Sequence, residues 1–160
     1  MVRRTTVWLA LGVAIAALAA PAAFADQPMK EPVPFPPATG QFCEGFMVSI
    51  EATENREVIH VFSSGVGLIT GTLKVEVTNL STDKTLELNI SGPGSFSTDG
   101  TSITGTGRWL LFGEAGQLPG PDPGMMLLSG RLELTLGPAG IAGIESVGQS
   151  EDVCAALAAA

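Results

Sequence analysis

The sequence predicts an all-β domain, an antiparallel meander of roughly seven to nine strands. Three observations carry that expectation. Short runs alternate apolar and polar residues at a period of two, clusters of Gly, Pro, Asn and Asp separate them, and a single C-terminal segment has helical character. Consecutive hairpins lead to up-and-down closure without exposed edges, so a small β-barrel is expected, with a two-sheet β-sandwich as the alternative. About 115 residues fall within the alternating region, enough for one core and not for two.

The chain opens with a targeting segment rather than with this domain. Arg3 and Arg4 precede an apolar run from Val7 to Ala20, and Ala23-Phe24-Ala25 supplies a small-x-small cleavage pattern. The run is shorter than the roughly 18 to 20 residues a spanning helix needs, and it ends at Pro21. Residues 1–25 are therefore read as a signal peptide, and the mature chain as secreted to the cell exterior, with no membrane association after cleavage. Residues 26–40 follow as a proline-rich leader. Pro28, Pro32, Pro34, Pro36 and Pro37 remove amide donors and favour extended geometry, which suits a spacer outside the fold. Residues 41–160 then form the single β-domain.

Within that domain the expected strands are Glu57 to Phe62, Leu73 to Asn79, Thr85 to Ile90, Ile103 to Phe112 and Met125 to Leu136. In "KVEVTNLSTDKTLELNIS" a turn over Ser81 to Lys84 would pair Leu80 with Thr85, Val77 with Leu88 and Val75 with Ile90, leaving the apolar set on one face. Asp99-Gly100 signals a second hairpin that would set Phe96 opposite Ile103. Ser150 to Leu157 reads as a short helix, with Ser150 as cap and Glu151 and Asp152 at the positive end of its dipole.

Cys43 and Cys154 are the only cysteines, and an even count in an exported chain reads as a disulfide. It would join the start of the domain to its end. Loop closure over that span is worth about 4 to 5 kcal/mol. Loss of the signal leaves 6 basic and 16 acidic residues, a net charge near −10. So negative a surface repels phosphate backbones, and nucleic acid is excluded as a partner.

Few residues have the types that chemistry needs. His60 is the only histidine and shares a strand face with Val58 and Phe62, while no serine sits in a G-x-S-x-G elbow. One histidine with two bonded cysteines cannot hold zinc, no D-x-D-x-D-G calcium loop occurs, and no cofactor signature is present. Glu51, Glu54 and Glu57 read as a solvated acidic surface. Asn79-Leu80-Ser81 and Asn89-Ile90-Ser91 match the N-x-S pattern, but the alanine- and glycine-rich chain reads as bacterial, where that modification is seldom expected. The long segment Gly113 to Gly124 is the kind of loop that carries binding, and Trp109, Phe112, Met125 and Met126 lie beside it. These side chains either line the mouth of an apolar cavity or plug the end of a core. In the first case Trp109, Leu111, Met125 and Leu127 form the ligand site.

The pattern "CEGF…VTNLSTDKTLELNISGPG…TDGT…GTGRWLL…SGRLELTL…EDVCAAL" resembles a group of small secreted actinobacterial-type single-domain β-proteins of no known activity. The resemblance runs from Cys43 to Leu157 and implies secretion, one β-domain and the terminal cysteine pair. It implies no substrate and no site residue. The expectation is a secreted, non-catalytic protein with a binding or structural role, taking a small apolar ligand or an extracellular protein partner. The alternative is a hydrolase using His60 with a serine and an acidic residue.

Overall fold

The computed structural model describes residues 27–119, 124–138 and 140–159. The expected signal peptide therefore lies outside the described residues. These residues form eleven strands and one helix: β1 (Met29–Pro32), β2 (Ala38–Cys43), β3 (Phe46–Asn55), β4 (Val58–Val61), β5 (Gly67–Thr70), β6 (Leu73–Asn79), β7 (Lys84–Asn89), β8 (Gly94–Phe96), β9 (Ser102–Gly113), β10 (Gly124–Gly137), β11 (Gly140–Asp152) and α1 (Val153–Ala158). All pairings are antiparallel. They build a seven-stranded sheet in the order β1-β4-β5-β8-β9-β10-β11 and a four-stranded sheet in the order β2-β3-β6-β7.

Both sheets are open, so the expected barrel does not form. Only β8 to β11 is a true meander; before it the chain changes sheet at the end of each hairpin. Strand character explains the switching. β6 buries every second residue and meets β3 with Ile50 opposite Val77, whereas β4 is half-buried along its whole length. A strand with one apolar face seeks another of its kind, so β3 pairs with β6 and passes over β4. The count exceeds seven to nine partly because the proline-rich leader joins the fold: β1 pairs with β4, and the Val33 amide donates to Glu57 O. Prolines confine it to a short sheet edge without excluding it from the sheet.

The opening hairpin keeps its expected faces but shifts by two residues. Val75 faces Leu88, Val77 faces Leu86 and Asn79 faces Lys84. Asn79 closes the turn itself: its Oδ1 accepts from the Ser81 amide, its carbonyl accepts from Asp83, and Leu80 is left exposed. The second hairpin has Phe96 opposite Ile103, as its Asp-Gly pair implies.

One apolar core joins the two sheets. Val48, Ile50, Val75 and Val77 contribute from the four-stranded sheet, Leu110, Met125 and Leu127 from the seven-stranded one, and Val153 and Leu157 from α1. Phe42 and Phe112 meet edge to face at 5.1 Å between ring centroids. The opposite face of β9 to β11 carries a second cluster built on Leu111, Leu128, Leu132 and Leu134. The helix starts at Asp152, not at Ser150: Asp152 Oδ1 accepts from the Ala155 amide. Its far end is held by Asn79, whose Nδ2 donates to Leu157 O, and by the Lys84 ammonium on Ala159 O. Cys43 and Cys154 form the expected disulfide across 5.4 Å between their Cα atoms.

Glycines decide where the long strands change environment. Gly107, Gly130 and Gly148 pair in one row across β9, β10 and β11, all at positive φ. A Cβ at Gly130 would stand 2.2 Å from Val147 O, and one at Gly148 1.8 Å from Ser129 O. Only glycine fits such a row. On one side of it Leu110 and Leu127 enter the core; on the other, Thr104, Thr106, Arg131 and Glu133 face solvent.

Candidate functional site

Register separates the four residues expected to form a ligand site. Leu110 pairs with Leu127 and Phe112 with Met125, which puts Met125 and Leu127 in the core between the sheets. Trp109 pairs with Leu128 and Leu111 with Met126, so Trp109 and Leu111 lie in the cluster on the opposite face. The indole of Trp109 packs over the backbone of Gly92, Gly94 and Gly105 and donates from Nε1 to Thr106 O at 3.1 Å. Leu111, Met125 and Leu127 are buried packing residues. Alternation holds within each strand, but the phase between the two strands puts the pairs back to back. Of the loop after them, Leu118 packs against the Leu111 cluster, and residues 120–123 lie outside the described residues.

A different cleft forms where the disulfide gathers chain ends. It measures about 490 Å³ and is bounded by the β2–β3 turn, the start of β10, the end of β11 and one side of α1. Phe46, Met125, Met126, Ala155 and Ala158 give it apolar walls; Glu44, Ser150 and Asp152 supply polar groups, and Cys154 lies against it. Each wall has a local cause. A two-residue turn with Gly45 at φ 85° sends the chain straight back from Cys43, leaving Phe46 opposite the cysteine. The Asp152 cap then starts α1 at the end of β11, carrying Ala155 and Ala158 over Met125. A space of that size with apolar walls and few polar groups matches the dimensions of small-molecule sites. It offers dispersion from its apolar walls, the Ser150 hydroxyl and the two carboxylates of Glu44 and Asp152. Of its apolar walls, sequence reasoning reaches only Met125 and Met126, both expected beside a candidate cavity mouth. The one signal for the rest was the cysteine pair, which implies that residues next to Cys43 and Cys154 meet.

His60 sits on β4 with Nε2 3.3 Å from the Thr70 hydroxyl. Lys30 and Leu68 are its cross-strand neighbours, so the ring faces an aliphatic and a cationic side chain. The acidic group expected as solvated surface has separate local roles. Glu54 pairs with Lys74 at 2.8 Å and Arg56 at 3.1 Å, and chiefly its bond to Lys74 lowers its pKa. Burial raises that of Glu57. Asp99 is held down to about 2 by the Ser97 hydroxyl, then by the Thr101 amide and hydroxyl. Among the described residues no group of three His, Cys, Asp or Glu side chains converges on a metal position. Asn79 is buried with its amide engaged, and Asn89 Oδ1 accepts from the Ser91 amide. Comparison with protein-family models, curated proteins and solved structures finds no match for this chain.

Proposed function

We propose that this chain is an exported, non-catalytic binding protein, a two-sheet sandwich that holds a small apolar molecule in the cleft beside Cys43–Cys154. The observation that carries the reading is the cleft itself: about 490 Å³ walled by Phe46, Met125, Met126, Ala155 and Ala158. Methionine suits an irregular guest because its unbranched thioether adapts to shape. The disulfide supports an extracellular setting, where such bonds persist. The hydrolase reading would need a carboxylate to orient His60 and a serine beside it; the ring instead meets the Thr70 hydroxyl.

The test is a titration of the folded, signal-free protein with a solvatochromic hydrophobic dye and a panel of fatty acids. Ala155 is exposed and borders the cleft, so Ala155→Trp fills the space without disturbing the core. Saturable dye binding is expected for the natural chain, displaced by at least one lipid and weakened by about tenfold or more in Ala155→Trp. A flat titration with folded protein, or equal binding by the variant, overturns the reading.

A further inference from the structure

Four strands end the two sheets, and three of them carry features that discourage pairing with another chain. β1 is four residues long and contains Lys30 and Pro32. β7 is six residues long with Lys84 and Glu87, and β2, also six, is broken by a register shift between Gly40 and Cys43. Short length, lysine, proline and irregularity are the usual guards of a sheet edge. β11 differs. It runs for thirteen residues, "GIAGIESVGQSED", without lysine, arginine or proline; its one register shift lies near its start, opposite Thr135 and Leu136, and leaves residues 143–152 in unbroken register with β10, which alone pairs with it among the described residues. Midway along it stands Val147, 75% exposed.

We infer that the outer edge of β11 joins two copies of this chain, antiparallel about a twofold axis at Val147, into one continuous sheet. The occupant follows from self-complementarity. With Val147 opposite its own copy, Glu145 faces Gln149, Gly143 faces Glu151 and Ala142 faces Asp152, so no like charges oppose. Moving the axis to Glu145 sets that carboxylate against itself, and moving it to Gly148 sets Glu145 against Glu151. An axis at Ser146 avoids the clash but leaves Val147 opposite Glu145 and covers no apolar surface. The Val147 axis sets the exposed valine against its own copy, keeps every acidic residue opposite a neutral one and overlaps residues 142–152; an axis at Ile144 also avoids like-charge pairs, setting Val147 opposite Ile141, but overlaps only residues 140–148. Main-chain hydrogen bonds then supply the affinity and this side-chain row the register. The inference stands apart from the ligand cleft and does not depend on it.

Sedimentation and light scattering of the signal-free full chain measure the association. The natural protein is expected to dimerise, and Val147→Lys, which sets two ammonium groups face to face, to weaken the dimer by about tenfold or more with an unchanged circular dichroism spectrum. Val147→Cys is expected to give a disulfide-linked dimer on mild oxidation with Cys43–Cys154 intact by peptide mapping. Gln149→Cys, placed opposite Glu145 of the other copy, is expected not to cross-link. A natural protein that stays monomeric at the highest workable concentration overturns the inference. So does a dimer indifferent to Val147→Lys, or one that cross-links equally from both positions.

Discussion

Trp109 occupies a seat cut by glycines. A Cβ would come within 2.3 Å of the indole at Gly92 and within 2.6 Å at Gly94 and Gly105. Gly105→Ala is therefore expected to push the ring off the sheet, lower stability by about 2 kcal/mol through overpacking, and red-shift the emission. Chemical denaturation followed by tryptophan fluorescence checks both effects; unchanged emission would refute the seat. Asp99 gives a residue-level prediction in pH. Its folded pKa is about 2 against an ordinary 3.8. A depressed carboxylate contributes stability that is complete above the ordinary value and lost as pH falls through the folded one. Asp99→Asn keeps an acceptor for Thr101 but cannot titrate, so its unfolding midpoint should depend less on pH between 3.8 and about 2. At this scale the sequence was half legible. The Asp-Gly turn announces itself, whereas Trp109 reads as a cavity residue because its glycine seat is assembled from the segment before β8, β8 itself and β9.

Among elements, β6 was the most readable, since strict alternation with one apolar face fixes which side is buried. Its hairpin partner was misplaced by two positions because Leu80, apolar in the sequence, belongs to an Asn79-closed turn. β11 was missed: its alternation is blurred by glycines, and it has only one neighbour to pack against. The exposed face of the four-stranded sheet carries a row of like charge. Glu76 lies between Glu51 on β3 and Glu87 on β7. Like charges directly opposite destabilise a sheet, so Glu76→Lys is expected to raise stability by about 0.5 to 1 kcal/mol, with a gain that shrinks in high salt. Urea denaturation at low and high ionic strength measures it. Asp152→Ala removes the α1 cap and should cost about 1 kcal/mol.

For the whole molecule, the two cysteines foretold the closure of the fold but not its consequence. The disulfide spans 111 positions and brings residues 44–46 against residues 150–158, so the cleft exists only in the assembled chain. No strand pattern encodes it, because its walls come from a turn, a helix and two strand ends. Reducing Cys43–Cys154 is expected to lower stability by up to about 5 kcal/mol and to loosen the cleft before the sheets separate. Ligand binding should then fall in parallel with the fraction reduced. The central claim, that this cleft and not the Trp109 face takes the ligand, is tested most directly by NMR of the methionine methyls and the Trp109 indole during titration with the best-binding lipid. Met125 borders the cleft from the core, whereas Trp109 lies in the cluster on the opposite face of the sheet. The Met125 methyl resonance should shift and saturate while the Trp109 indole N–H resonance stays in place; a shift at Trp109 with Met125 unmoved, or no shift at either, would contradict it.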